Sequence, residues 1–248
     1  MFHKIQFTPN INIPQTAFRA APQVSQERGL PLVDGFVTNP LFEKIADKAF
    51  IEAEARSNPR IREMFSEKGL PIRVNIKELE KLQSGHLKNT RITAAKIYSA
   101  LPGELKREVN GKNLQEAAML HDYGKVLIPD SILNKAGGLT EQERKIMEMH
   151  SELGYELLKN KGADEAVRNL VKYHHQTPAG TGYPAVGAEY RHKLESEIIA
   201  AADKYNALTE NRSYKSAMKK EDALAVIRED VGNGIISREV YEALLKSV

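Results

Sequence analysis

The sequence has no cysteine, no tryptophan and no long apolar run among its 248 residues. The absence of cysteine excludes disulfide bonds and thiolate metal ligands, and it is typical of a protein in a reducing compartment. Because no uninterrupted apolar stretch approaches the roughly 20 residues that span a bilayer, we expect no transmembrane helix. The N-terminal segment also lacks the apolar core of a secretory signal. These absences predict a cytoplasmic protein with no membrane partner.

An excess of charge of one sign is also lacking, since 36 Lys and Arg nearly balance 33 Asp and Glu. The formal net charge of +3 argues against nucleic-acid binding, so we expect no duplex partner. Charged residues make up 28% and apolar residues 41% of the chain, which is typical of a globular protein. A chain of this length can bury one sizeable core.

Strand-like alternation is almost absent, and most of the sequence follows the helical period. Residues 1–38 are rich in Pro, Asn and Gln without periodicity, so we expect an irregular N-terminal arm there. Residues 39–75 are expected to form short helices, one of which Pro59 opens. Residues 76–248 are expected to form the main domain. The sequence therefore predicts an all-α bundle with an appended arm.

Three helical segments of the main domain carry titratable groups on faces expected to turn inward. Thr140 and Glu143 form a capping-box pattern, and His150 lies on the apolar stripe of the helix that follows. In "NIKELEKLQSGHLKNTRITAAKIYSAL", His86 falls at helical spacing with small and apolar residues. In "ESEIIAAADKYNALTE", Asp203 directly follows three alanines.

The inward-facing carboxylates are harder to explain by packing than the histidines. A single buried histidine is usually satisfied by a backbone partner. An unpaired buried carboxylate costs several kcal/mol, comparable with the stability of a small domain, so Asp122 and Asp203 each require a cation. A metal centre would account for the carboxylates and histidines together, because both donor types suit Fe, Mn or Zn.

Adjacent ligand pairs favour a centre with two ions. His121 and Asp122 are neighbours in "LHDYGKVLIPD", and neighbours on a helix point about 100° apart, so Asp122 could bridge two metals. His174 and His175 could act similarly at the end of their helix. Lys125 falls on the face of His121 if that helix continues, where it could neutralise a phosphate oxygen. Two metals about 3.5–4 Å apart suit in-line attack on phosphorus.

The order His86, "HDYGK", His150, "HHQ" and "AADKYNAL" resembles the HD superfamily of metal-dependent phosphohydrolases. The segment "HHQTPAGTGYP" narrows the resemblance to the HD-GYP subgroup. "IPDSILNKAGGLT" and "NRSYKSAM" extend it over roughly residues 78–230. The resemblance implies an HD-domain helical bundle with a two- or three-metal site, often iron or manganese. It also implies hydrolysis of cyclic di-GMP to pGpG or GMP, with some members preferring related cyclic dinucleotides.

The resemblance further implies roles for individual residues. The residues that match the family's metal ligands are His86, His121, Asp122, His150, His174, His175 and Asp203. Lys125 matches the residue that contacts the scissile phosphate, and Tyr183 matches the loop tyrosine near the substrate. Arg212 and Lys215 match basic positions that contact ligand phosphates. The expected catalytic residues are therefore Asp122 and Lys125.

Several positions depart from the family pattern. Leu82 stands where three-metal members carry a glutamate, so we expect two ions, Fe or Mn, rather than three. Gln176 stands where Glu is usual, Ala179 and Asn206 where Asp is usual, and Pro178 where an aromatic residue is common. None of these changes removes a ligand. We therefore expect an intact metal site beside an atypical substrate loop.

The expected function is a phosphodiesterase in which a hydroxide bridging two metals attacks a cyclic dinucleotide, most simply cyclic di-GMP. Two alternatives stay open. One is a binding module with little or no catalysis that docks a GGDEF-domain cyclase through its GYP loop. The other is an HD phosphohydrolase acting on a different nucleotide. The N-terminal arm could pack over the site, form a contact in a homodimer, or bind a partner.

Overall fold

The computed structural model describes residues 47–81, 85–187, 190–211 and 216–248. In these ranges the chain forms twelve α-helices, two 3₁₀ helices and no β-strand. The α-helices are α1 Lys48–Ser57, α2 Pro59–Glu67, α3 Ile76–Lys81, α4 Gly85–Ala100, α5 Gly103–Lys106, α6 Gly111–Leu120, α7 Asp130–Leu133, α8 Glu141–Leu158, α9 Glu165–Tyr173, α10 Leu194–Thr209, α11 Lys220–Gly232 and α12 Arg238–Ser247. The 3₁₀ helices are Tyr123–Leu127 and Lys159–Lys161. The predicted all-α class is confirmed.

Local sequence signals set several helix ends. The hydroxyl of Thr140 accepts from Glu143 N at 3.2 Å, and the Glu143 carboxylate accepts from Thr140 N at 2.7 Å, so the predicted capping box begins α8. Asn58 caps α2, whose first residue is Pro59, as predicted. Gly69, with φ at +63°, follows the end of this helix in a conformation that glycine adopts most readily.

The predicted arm over 1–38 lies outside the described residues, and the predicted domain boundaries remain predictions. The segment expected to form one long helix is described as α3 and α4, with residues 82–84 between them outside the described ranges. None of the helices in the described part of the chain is both long and apolar enough to cross a bilayer.

One hydrophobic core joins the helices. Helix α4 packs against α6, α10 and α12, while α8 packs against α9 and the 3₁₀ helix Tyr123–Leu127. Tyr123, Leu120 and Leu153 are among the large side chains that this packing buries completely. Because α6 and α10 also pack against α9, the five helices α4, α6, α8, α9 and α10 enclose a common interior.

Two glycines bring the 3₁₀ helix into close contact with α8. A Cβ atom on Gly124 would lie 1.9 Å from the carbonyl oxygen of His150 and 2.5 Å from the backbone nitrogen of Gly154. A Cβ atom on Gly154 would lie 2.9 Å from Val171 Cγ1, on α9, and 3.3 Å from the backbone nitrogen of Gly124. The two distances at Gly124 are too short for any side chain, so the backbones of the 3₁₀ helix and α8 are in contact there. This packing holds the segment after His121 against α8.

The helix before His121 does not continue to Lys125, so the condition for placing Lys125 on the face of His121 is not met. Helix α6 ends at Leu120, and His121 only caps it. The chain then enters the 3₁₀ helix, where Lys125 N donates to the Asp122 carbonyl at 2.9 Å. The tighter turn lets Gly124 pack against α8. Lys125 therefore lies beside Asp122 rather than on the helical face of His121.

Candidate metal centre

The structure brings the seven predicted ligand residues together in the common interior. Their ligand atoms form two groups, and within each group all atoms lie within 4.8 Å of one another. The first group, called the acidic group below, is His86, His121, Asp122 and Asp203. The second, called the histidine group, is His150, His174 and His175. Asp122 joins them, because its Oδ1 lies 3.5 Å from His150 Nε2.

Backbone carbonyls orient three of the histidines in the same way. The Nδ1 atoms of His121, His150 and His174 each bond the carbonyl oxygen of the residue three positions earlier, at 2.8, 2.7 and 2.7 Å. A carbonyl can only accept, so each Nδ1 carries the proton that it donates. In the neutral ring, Nε2 then presents a lone pair. This is the form in which imidazole binds a metal.

Several buried polar atoms in the interior lack a hydrogen-bond partner. His150 Nε2 and His174 Nε2 lie 3.4 Å apart, so in their neutral forms two lone pairs face each other. His121 Nε2 and Asp122 Oδ1 are buried without a hydrogen-bond partner among the described residues. Buried polar atoms are rarely left unpaired, and divalent cations, which would replace the proton on His121, would satisfy all four of these atoms. The donor set therefore fits metal ions.

The histidine group is electrically neutral. Burial, reinforced by neighbouring cationic side chains, lowers the pKa of His150 to about 4. Burial likewise lowers the pKa of His175 to about 3 and holds that of His174 well below its usual value. The three imidazoles are thus unprotonated at neutral pH, as metal ligands must be.

The acidic group is arranged to hold cations. Burial lowers the pKa of His121, but the carboxylates of Asp122 and Asp203 outweigh burial and raise the pKa to about 10. Burial raises the pKa of Asp122, but Lys125 and His121 hold it well below its usual value. His121 and His86, whose Nε2 atoms lie 3.6 and 3.1 Å from Asp203 Oδ1, do the same for the pKa of Asp203. Both aspartates are therefore ionised, and a metal would replace the proton on His121.

Lys125 supplies a cation at the edge of the acidic group. Its Nζ lies 2.6 Å from Asp122 Oδ2, and its side chain is 24% exposed. Burial lowers the pKa of Lys125, but Asp122 and Asp203 raise it above its usual value, so the ammonium stays charged. An anion entering from the exposed side would meet this charge first.

The Gly-Tyr-Pro loop covers His175. The Tyr183 ring stacks on the His175 ring, with centroids 4.5 Å apart and an interplanar angle of 28°. A Cβ atom on Gly182 would lie 2.0 Å from the His175 carbonyl oxygen, so only glycine allows this approach. The Gln176 side chain holds the loop at two points, accepting from Gly182 N at 3.2 Å and donating to the Pro184 carbonyl. A glutamate at this position could accept but not donate.

Asn206, which stands where the family usually has aspartate, is buried between α10 and α4. Its Oδ1 accepts from Thr93 Oγ1 at 3.1 Å, and its Nδ2 donates to Thr90 Oγ1 at 3.3 Å. The amide thus joins the helix that carries Asp203 to the helix that carries His86. The surrounding described residues thus pair both polar atoms of the Asn206 side chain.

Three predicted positions, Leu82, Arg212 and Lys215, lie outside the described residues. The phosphate contacts of Arg212 and Lys215 therefore remain predictions. The same holds for the inference from Leu82 that the site has two ions rather than three.

The sequence reasoning missed one residue at the site, Glu210, which caps the C-terminal end of α10. Its Oε2 lies 2.7 Å from His86 Nδ1, and its Oε1 accepts from Asn89 Nδ2 at 2.7 Å. A signal was present in the sequence, because Glu210 follows Asp203 by two helical turns and thus shares its side of α10. A lone glutamate at a helix end is so common that the spacing did not stand out.

Comparison with known protein families agrees with this arrangement. The model of the HD domain family matches residues 73–240, which is more than half of the chain. The chain therefore belongs to the HD domain family. Its "HHQTPAGTGYP" segment and its similarity to curated cyclic di-GMP phosphodiesterases place it in the HD-GYP subgroup, as the sequence predicted.

Individual relatives match about half of the chain. The cyclic di-GMP phosphodiesterase response regulator RpfG of Xanthomonas campestris pv. campestris is 39% identical over 140 residues, 54% of this chain and 35% of that protein. The 3'3'-cGAMP-specific phosphodiesterase 3 of Vibrio cholerae is 33% identical over 135 residues, 54% of this chain and 29% of that protein. The chain thus spans about a third of the length of these curated relatives.

A solved structure supports the fold. Bd1817, a HDG"Y"P protein from Bdellovibrio bacteriovorus, matches with a TM-score of 0.53 and 16% sequence identity, over 83% of this chain and 66% of that chain. At this identity the likeness concerns the fold alone. It agrees with the predicted HD-type helical bundle.

Proposed function

We propose that this chain is a metal-dependent phosphodiesterase that hydrolyses a cyclic dinucleotide, with cyclic di-GMP as the substrate and pGpG or GMP as the product. The observation that carries the proposal is the pair of buried ligand groups joined at Asp122. The names of the relatives, which include cyclic di-GMP and 3'3'-cGAMP phosphodiesterases, support the substrate class.

The proposed cofactor is a pair of iron or manganese ions. The acidic group and the histidine group would hold one ion each, and Asp122 would serve both. Imidazole and carboxylate donors suit these metals, and no thiolate is present to favour a softer one. When bound, the ions would supply Lewis-acid activation of the phosphodiester and of a water molecule.

The chain's own residues would bind and orient the substrate. The Lys125 ammonium, held beside Asp122, would neutralise charge that develops on a non-bridging phosphate oxygen. The Tyr183 ring, fixed by its stacking on His175, would form one wall of the substrate site. Arg212 and Lys215 would contact the remaining phosphate. Asp122 would also help to orient the attacking water, because its carboxylate lies between the two ligand groups.

The proposal is tested by a substrate panel on metal-loaded protein: cyclic di-GMP, 3'3'-cGAMP, pGpG and GTP. We expect hydrolysis of a cyclic dinucleotide and a loss of at least about 10³-fold in Asp122→Asn, because that change weakens both ion sites. The matched control is Asp222→Asn, an exposed aspartate in the first turn of α11, which should leave turnover unchanged.

Three results would contradict the proposal. Hydrolysis of GTP alone would favour a different nucleotide substrate. Tight binding of a cyclic dinucleotide, or of a GGDEF-domain cyclase, without turnover would favour the binding module. Full activity of Asp122→Asn would remove this residue from the chemistry.

A further inference from the structure

We infer that Glu210 is a positioning residue of the metal centre, which fixes the proton and the orientation of the His86 ring. This inference rests on the proposed metal centre, but it does not depend on the identity of the substrate. The other histidines that bond through Nδ1 in this interior use main-chain carbonyls. The His86 ring differs because its Nδ1 partner is a side chain, 2.7 Å away.

Helix α10 holds the His86 ring from both sides. Glu210 Oε2 lies at Nδ1, and Asp203 Oδ1 lies 3.1 Å from Nε2. Asp203 lies in α10 and Glu210 directly follows its last residue, two helical turns further along, so both carboxylates face the same ring from one end of this helix. The position of α10 relative to α4 therefore determines how the ring is presented.

Both oxygens of Glu210 are engaged within the protein. While Oε2 bonds His86, Oε1 accepts from Asn89, which lies one turn further along α4. A carboxylate with both oxygens bonded in this way is suited to orienting a ligand rather than to binding a metal itself. Asn89 in turn limits the rotation of the carboxylate.

The bond to Glu210 decides which nitrogen of His86 is available. When a metal displaces the proton on Nε2, the proton held on Nδ1 by Glu210 leaves the Nε2 lone pair for the ion, as a metal site requires. Without Glu210, a neutral His86 ring would keep its one proton on Nε2, donated to Asp203 Oδ1. That hydrogen bond would occupy His86 Nε2 and Asp203 Oδ1, the two atoms that would otherwise bind the ion. The His86 side chain, 22% exposed, has less packing to hold it in place than the fully buried His121.

The test measures the affinity of the protein for Mn²⁺ by competition with a chelator, and the metal content after dialysis. We expect Glu210→Ala to weaken the binding of one of the two ions about 10–100-fold, the usual effect of removing an outer carboxylate, and to spare the other ion. Glu210→Gln should lose less, because its amide oxygen still accepts from Nδ1. The matched control is Glu229→Ala, an exposed glutamate on α11.

Thermal unfolding of the metal-free proteins separates positioning from folding. We expect Glu210→Ala to unfold at the wild-type temperature when no metal is present. We expect Glu210→Gln to recover part of the affinity for Mn²⁺ that Glu210→Ala loses. Wild-type affinity for both ions in Glu210→Ala would overturn the inference. So would an equal loss of both ions together with a lower unfolding temperature, which would make Glu210 structural. Absence of metal binding in the wild type would instead overturn the proposed metal centre.

Discussion

At the scale of single residues, the candidate site depends on where each imidazole proton lies. His121 and His174 each follow the last turn of a helix, and their Nδ1 atoms bond the carbonyls of Ala118 and Val171 in that turn. Carbonyls in a last helical turn lack a helical donor, so these two bonds also satisfy the helix ends. The same contacts therefore complete α6 and α9 and prepare two ligands.

Lys125 is expected to act on the reaction rate rather than on metal binding. Lys125→Met removes the ammonium beside Asp122 and keeps much of its bulk. We expect a fall of about 10²-fold in kcat, the size found when one stabilising donor is removed, with little change in metal content. Steady-state kinetics and metal analysis of the same preparation measure both. Lys96→Met, at an exposed position on α4, is the control. Loss of metal in Lys125→Met would show that the lysine is structural.

At the scale of elements, the 3₁₀ helix Tyr123–Leu127 places Asp122 and Lys125 against α8. Its position depends on Gly124, whose backbone lies against the carbonyl of His150. The residues before α3 add a second support, because Asn75 N donates to the Val126 carbonyl at 2.7 Å. The short element is thus held from two sides.

Gly124→Ala should move the 3₁₀ helix, with Asp122 and Lys125, away from His150 on α8. The new methyl group would need the space of the His150 carbonyl, so the 3₁₀ helix or α8 must shift. We expect a destabilisation of about 3 kcal/mol or more, measured by urea unfolding, together with loss of tightly bound metal. Gly232→Ala, where nothing lies within 4 Å of the added Cβ, is the control and should have little effect. Equal stability of both variants would contradict the close packing described here.

The same elements show how far sequence reasoning reaches. The helical period and the capping box at Thr140 could be read from the sequence because each depends on local spacing. The seven predicted ligand residues came from the resemblance to the HD superfamily, and the fold brings them together. The end of α6 at Leu120 could not be read from the sequence, because a tertiary contact of Gly124 decides it. The contact of Glu210 with His86 joins residues far apart in the chain, and the spacing of Glu210 from Asp203 indicates only a shared side of α10.

At the scale of the whole molecule, a buried glutamate links distant parts of the bundle. Glu197 on α10 accepts from Ser237 N, at the start of α12, at 2.7 Å, and its other oxygen lies 3.1 Å from His192 Nε2. Its side chain is only 6% exposed. Because α12 packs against α4, this link supports the helix that carries His86.

Glu197→Ala is expected to destabilise the fold by about 2 kcal/mol at neutral pH, because it leaves the half-buried Ser237 N–H unpaired. Burial raises the pKa of Glu197, but its bonds to His192 and Ser237 outweigh burial and lower it. A lowered pKa in the folded state gives stability that is present above the unfolded pKa of about 4.3 and is lost in acid. The difference between wild type and variant should therefore narrow as the pH falls below that value.

Urea unfolding of both proteins across this pH range measures the effect. Glu242→Ala, which breaks an exposed ion pair with Arg238, is the control and should change stability by less than about 1 kcal/mol. A difference for Glu197→Ala that stays constant into acid would contradict the assigned role of its carboxylate.

The central claim is tested most directly by metal analysis of anaerobically purified protein, with cyclic di-GMP hydrolysis followed on the same sample. We expect about two equivalents of iron or manganese, as a two-metal site requires, and turnover that rises with metal content. A protein that takes up no metal under any loading condition, with its fold intact, would contradict the account.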